Sequence, residues 1–291
     1  MFSKTFIYSN FSKKNMEHIG GQAVIEGVMM KSKSKYAISV RLPKGKIKTL
    51  KKRLKRKSKI YAAPLFRGFF VLWDTLILGI KALNWSANQQ LEKKEKLTMK
   101  ELIFTIVLSF IFVILFFIVI PFYLTGLIVA KGILFNLIDG VLRIGIFLIY
   151  LAGISFMKDV KQLFRYHGAE HKAVNCYEAG EELTIKNAKK FTTINPRCGT
   201  SFLVIVLVIS ILVFSLVISD HWYVKLGARI VLIPVIAAVS YEILKISSRF
   251  KNNLIFRILN APGLWIQRIT TKEPTNKQIE IAIASLKAVL R

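Results

Sequence analysis

Apolar and polar residues follow one another along this chain in long blocks. Residues 102–130 are almost unbroken apolar chain, and so are 133–157 apart from Asp139 and Arg143. Residues 202–219 are apolar throughout, and 226–244 are apolar apart from Arg229 and Glu242. A bilayer core needs about 20 such residues per helix, and a helix satisfies its own backbone polar groups inside it. The pattern therefore predicts four transmembrane helices. A soluble fold would have to hide all four stretches inside a small protein. A fifth apolar stretch, 65–83, carries Arg67, Asp74 and Lys81. Arg67 and Asp74 fall on one helical face, which favours an interfacial or half-inserted amphipathic helix over a fifth span with a buried ion pair.

The polar blocks predict the rest of the architecture. Residues 1–18 read as a disordered tail. Residues 19–63 form a basic segment with β character: 20–30 read as one glycine-punctuated strand and 36–42 as a second, and a Pro43-Lys44-Gly45 turn leads to a paired return strand. Residues 64–100 hold the amphipathic helix and, from 84 onward, a polar helical linker. The first two spans occupy 101–157, a motif-bearing segment 158–201, and the last two spans 202–247. In 248–291 a basic membrane edge is followed by an interfacial turn around Pro262 and Trp265. Glu273 and Pro274 then cap a final amphipathic helix from 276 to 290 whose Ile279, Ile283 and Leu286 share a face. The fold class expected is mainly α: a multi-pass membrane helical bundle, with a small cytoplasmic β element near the N-terminus.

Charge sets the orientation. The chain carries 44 Lys and Arg against 16 Asp and Glu, a net charge of +28, yet its mean hydropathy is +0.46. Lysines and arginines crowd residues 31–59 and recur through 158–201, whereas the two expected outer loops, near Lys131 and near Asp220, are short and nearly uncharged. The positive-inside rule then places both termini and segment 158–201 on the cytoplasmic side of the membrane. No apolar signal region precedes position 20, so insertion is expected to depend on the first span. Cys176 and Cys198 face a reducing compartment, which argues against a disulfide.

Candidate chemistry concentrates in 158–201. His167-Gly-Ala-Glu170-His171 sets two histidines one helical turn apart, so both imidazoles reach one side of the helix. This is a metal-ligand spacing in the inverted His-x-x-Glu-His order. A helix from about 162 to 179 puts Glu178 on the ligand face by rotation and Cys176 on the opposite face. Cys198 lies in a loop after an Asn195-Pro196 turn and is free to fold back. The next helix is expected to be capped by Thr200 or Ser201. The expected ligand set is His167, His171 and Cys198, with Glu178 or water fourth, and a thiolate among imidazoles favours zinc. Glu170 is the candidate general base, or a group that fixes a ring tautomer. Arg165, Arg197 and Thr200 are candidates for holding an anion or substrate; the plainer reading is basic residues meeting lipid headgroups. Glu26, one of two acids in the first 60 residues, reads as a surface charge or a partner for nearby lysines. His18 and His221 are given no role.

Several motifs together resemble one family. Gly-Gly-Gln-Ala-Val-Ile-Glu-Gly-Val-Met-Met (20–30), Arg67-Gly-Phe, Tyr-His-Gly-Ala-Glu-His-Lys (166–172), Tyr177-Glu-Ala-Gly-Glu-Glu, Pro-Arg-Cys-Gly-Thr-Ser (196–201) and Ala-Pro-Gly-Leu-Trp-Ile-Gln (261–267) look like the YqhQ-like family of bacterial membrane proteins. That family carries a domain of unknown function numbered 1385. The resemblance runs from about residue 19 to the C-terminus and implies a multi-pass membrane protein described as a predicted metal-dependent enzyme. The family pattern has a histidine before Pro-Arg-Cys-Gly, where this chain has Asn195.

Two functions follow. One is a metal-dependent hydrolase at the cytoplasmic membrane face. The other is a non-enzymatic scaffold or partner of membrane machinery such as a translocon or ribosome, with at most a structural metal. Its contacts would be anionic lipid headgroups, or a protein or RNA bound through the basic run that opens at Lys48 and closes at Lys59. No nucleotide-binding fingerprint stands out, so no nucleotide cofactor is expected.

Overall fold

The computed structural model describes residues 17–54, 66–91, 98–129, 132–217, 219, 221–249 and 253–291. Positions 1–16 of the expected tail, 55–59 of the basic run, part of the expected linker (92–97), and the loop residues Lys131 and Asp220 lie outside the described residues.

Four strands form an antiparallel meander in the order β1-β2-β3-β4: β1 Gly20–Val24, β2 Gly27–Lys31, β3 Lys35–Arg41 and β4 Ile47–Arg53. The single strand expected over 20–30 is therefore a hairpin. Val24 pairs with Gly27, which leaves Ile25 and Glu26 as a two-residue turn, and a turn of type II needs positive φ at its second central residue. Glu26 supplies it at φ 51°, a conformation costing a non-glycine residue about 1–2 kcal/mol. Its carboxylate is half-buried and accepts from Tyr166 Oη at 3.0 Å, so the strained turn is held against a neighbouring helix.

Both faces of the sheet are covered, because side chains alternate across a strand. Val28, Met30 and Ala37 pack with α5 (Lys158–Glu178) and α11 (Asn276–Leu290) in one core. Val24, Met29, Ile38 and Val40 pack with Leu78 and Ala82 of α1 (Phe66–Gln90) in another. The α1 helix continues through residues 84–90, expected to be linker. Its length and composition suffice for a membrane crossing, yet its second half lies on the sheet: Ser86 Oγ accepts from the Ile25 amide. Its first half packs on α9 (Ile233–Arg249), where Arg67 ion-pairs with Glu242.

Among the described residues, three helices are long and apolar enough to cross a membrane, and up to four if one bent pair counts as a span. Besides α1 these include the run from α2 (Met99–Ile114) through a π-helical turn (Leu115–Val119) to α3 (Ile120–Ile128), and α4 (Ile133–Ile154). The π turn immediately precedes Pro121, which cannot donate to the helical ladder. The expected last span is broken into α8 (Trp222–Val231) and α9, bent by 48°. The expected third span is shorter than read: α7 covers Gly199–Ser215, after α6 (Ile185–Lys189).

Two C-terminal expectations are corrected. Residues 261–266 are not a turn but lie within α10 (Leu254–Thr270), Pro262 included. There a side chain on Gly263 would meet the Ser201 backbone at 2.7 Å, so close packing on α7 overrides the local Pro-Gly signal. Helix α11 is capped by Thr275, in a reciprocal box with Gln278, and not by Glu273. Leu286 of α11 is fully buried against the sheet. Leu286→Ala is expected to lower stability by about 2–5 kcal/mol, read as an earlier denaturant midpoint in detergent.

Candidate metal centre

Helix α5 carries the two histidines because its periodicity separates two faces. Tyr166, Ala169, Ala173 and Cys176 point into the sheet core, and His167 and His171 leave from the other side, their ring centroids 4.4 Å apart. Cys176 is fully buried with its sulfur 3.6 Å from the Glu182 carbonyl, and burial raises its thiol to about 11. This is the placement rotation predicts. Gly180, at φ 78°, ends the helix region in the left-handed conformation that glycine tolerates.

Cys198 reaches the histidines from α7, and here the sequence reading is corrected. Cys198 is itself the N-cap, with extended backbone (φ −66°, ψ 144°), so α7 begins before Thr200 and Ser201. The Thr200 hydroxyl lies 3.3 Å from the cysteine sulfur. Cys198 Sγ is 3.2 Å from His167 Nε2. The ligand atoms of His167, His171 and Cys198 all lie within 4.8 Å of one another. In a tetrahedral zinc site with ordinary bond lengths, a nitrogen and a sulfur ligand stand about 3.5 Å apart.

The ring orientations are set by two backbone carbonyls that the sequence did not reveal. His167 Nδ1 lies 2.9 Å from Thr270 O, and His171 Nδ1 lies 2.5 Å from Thr193 O. A carbonyl only accepts, so each Nδ1 donates and each Nε2 keeps its lone pair, the arrangement that orients metal-binding histidines. Thr270 ends α10, where terminal carbonyls have no helical partner. Thr193 belongs to a loop fastened from several sides. Asn175 Nδ2 donates to the carbonyls of Thr192 and Ile194. The Asn195 amide donates to Gln267 Oε1 and its carbonyl accepts from Gln267 Nε2, both at 2.9 Å. Asn195 is therefore a hinge pin of this loop and not a ligand. At Gly168, between the histidines, a β-carbon would lie 2.1 Å from the Lys272 carbonyl, so only glycine lets the α10–α11 connection pass this close.

The remaining site candidates are placed apart from this cluster. Glu178 ion-pairs with Arg197 at 2.5 Å, and Arg197 Nη1 also lies 3.0 Å from His18 Nδ1. Glu178 and Arg197 are thus committed to each other, and His18 joins them from the N-terminal segment. Arg165 is half-buried on α5. In the basic run, Lys48, Lys51, Lys52 and Arg53 are exposed along β4, with the Lys48 ammonium donating to Gln89.

Glu170 is buried, and its carboxyl occupies space left by Gly21, whose β-carbon would lie 2.6 Å from Oε1. Burial raises its carboxyl to about 7, opposed by the nearby His167. An unfolded chain releases this proton near pH 4.5 while the folded protein keeps it to about 7. Stability contributed by the protonated form is complete below the lower value and is lost as pH rises through the upper one. Chelator-treated wild type is expected to lose about 3 kcal/mol across this window. Glu170→Gln, neutral throughout, should flatten that slope in unfolding curves recorded at several pH values.

A family model described as a protein of unknown function (DUF1385) matches residues 63–291. The chain is also 33% identical to the "Uncharacterized protein YqhQ" of Bacillus subtilis (strain 168), over 94% of this chain and 92% of that protein. No solved structure matches. The chain belongs to the DUF1385 family.

Proposed function

We propose that this protein is a metal-binding protein of the bacterial inner membrane, with His167, His171 and Cys198 holding one zinc ion at the cytoplasmic face. The observation that carries the proposal is the pair of Nδ1–carbonyl hydrogen bonds. They leave each Nε2 free to bind, His167 Nε2 stands 3.2 Å from the cysteine sulfur, and a ring nitrogen of His171 lies within 4.8 Å of both. Two imidazoles and a thiol suit zinc by donor type, and three protein ligands leave one coordination position for a substrate or water.

We assign the site to hydrolysis of a bond presented at the membrane surface. Zinc bound there supplies a Lewis acid that polarises an oxygen. Thr193 and Thr270 hold the rings in register, and Gly168 keeps the α10–α11 connection close enough for Thr270 to do so. Glu170 is the residue assigned to carry a proton. It is the acid between the two histidines in the chain, and among the described residues no hydrogen bond or ion pair engages its carboxylate, whereas Glu178 is held by Arg197.

A second reading is favoured by the spread of the parts. The ligands come from α5 and α7 and their carbonyl partners from α10 and the 190–197 loop, so a metal here would also clamp the soluble layers to the apolar helices. In that case the protein is a scaffold, and the lysines of β4 are its contact with anionic lipid, protein or RNA.

Metal analysis of purified protein tests the site. Wild type should carry about one zinc per chain, the His167→Ala/His171→Ala double variant none, and Cys198→Ser markedly less. Wild type that stays metal-free after zinc-supplemented growth refutes the site. Glu170→Gln should retain zinc. Should chelation lower the unfolding temperature while no hydrolysis distinguishes wild type from Glu170→Gln, the scaffold reading stands in place of the hydrolase.

A further inference from the structure

A second polar cluster lies among the apolar helices, far from the histidines. Phe214, which packs on it, is 16 residues beyond Cys198 along the chain, about 24 Å at helical rise. Asp139 of α4 is 1% exposed, and its Oδ2 accepts from Arg143 of the same helix at 3.0 Å and from Arg229 Nε of α8 at 3.1 Å. Arg229, also 1% exposed, donates further to Asn136 Oδ1 and to the Lys225 carbonyl. Its guanidinium lies 4.9 Å from the Phe122 ring and 5.2 Å from that of Phe214.

The charges do not balance. One carboxylate faces two guanidiniums, and one helical turn before Arg229 stands a third cation, Lys225. Lys225 is 7% exposed. Its ammonium sits 4.8 Å from the centre of the Phe135 ring, and among the described residues no carboxylate pairs with it. Taking an ion out of water is costly unless it is paired, and a cation–π contact returns only part of that cost. Ionisable groups inside spans generally mark ligand or ion sites.

Lys225 also lines a cavity of about 360 Å³ with Phe122, Tyr123, Phe135, Leu127 and Trp222. The outer lining is exposed: Tyr123 54%, Leu127 84% and Trp222 59%. The opening therefore lies at the C-terminal end of α3 and the N-terminal end of α8, where, with these helices in a bilayer, a lipid head and its chain would both come within reach. We propose that this cavity binds a lipid with a phosphate head, the phosphate on Lys225 with Arg229 behind it and the chain along Tyr123 and Leu127. A free anion would satisfy the ammonium but leave that apolar lining uncovered, which is why a lipid is the occupant.

Trp222 provides a local readout. The test uses the full chain with Trp73, Trp85 and Trp265 replaced by Phe, in phosphatidylcholine vesicles containing a small fraction of lipid with brominated, fluorescence-quenching chains. Brominated phosphatidylglycerol should be enriched at Trp222 about fivefold over brominated phosphatidylcholine, the effect of one cation near an anionic head. Lys225→Arg should keep that preference and Lys225→Gln abolish it. Equal quenching by the two lipids, or a preference that survives Lys225→Gln, overturns the proposal. So does its loss on adding inorganic phosphate, which would assign the cavity to a soluble anion. Native mass spectrometry of the unsubstituted protein gives a variant-free check: retained phosphatidylglycerol supports the site, and retention no greater than that of phosphatidylcholine refutes it.

Discussion

The structure depends on one helix doing two jobs on opposite faces. Helix α5 gives Tyr166, Ala169, Ala173 and Cys176 to the core under the sheet and turns His167 and His171 toward α7 and α10. The small residues on the inner face let the sheet and α11 approach closely, and Gly168 lets the α10–α11 connection approach between the two ligands. The helix therefore cannot rotate to improve one face without spoiling the other. That coupling explains how donors from separate elements are held in one fixed geometry.

Much of this was legible from residue spacing. The four-residue interval of the histidines, the opposite placement of Cys176 and the apolar blocks all follow from the helical repeat, as does the amphipathic face of α11. What could not be read depends on contacts between distant parts of the chain. No local signal announces that the carbonyls of Thr193 and Thr270 orient the rings, since a carbonyl is the same at every residue. The N-cap role of Cys198 was missed because hydroxyl and carboxamide side chains are the usual caps. Glu178 was placed on the ligand face by rotation, but rotation does not know of Arg197. The turn at Ile25 and Glu26 was hidden because it contains neither glycine nor asparagine, and its strain is held by Tyr166 from another element.

Composition was a better guide to apolarity than to architecture. The α1 helix is apolar enough to cross a bilayer, yet Leu78 and Ala82 are spent on the sheet. The α8–α9 pair contains enough apolar residues for one span but is bent by 48°, next to the charged cluster around Asp139. In both cases a hydropathy profile records what a segment can bury, and the tertiary partners decide where. The two polar centres also sit near opposite ends of α7, so that one helix joins the layers around the sheet to the charged interior of the bundle.

The sheet is made from the beginning of the chain and closed by its end. Ser285 Oγ donates to the carbonyl of Ala37, across 248 residues, and α11 covers a face whose strands are synthesised first. During translation those hairpins must wait, one face bare, until every apolar helix between them and α11 has been made. Pairings this distant are slow to form, and uncovered strands invite wrong partners in the interval. The lysines crowding the outermost strand then have a use that needs no ligand: like charges along an open edge keep neighbouring nascent chains from joining it.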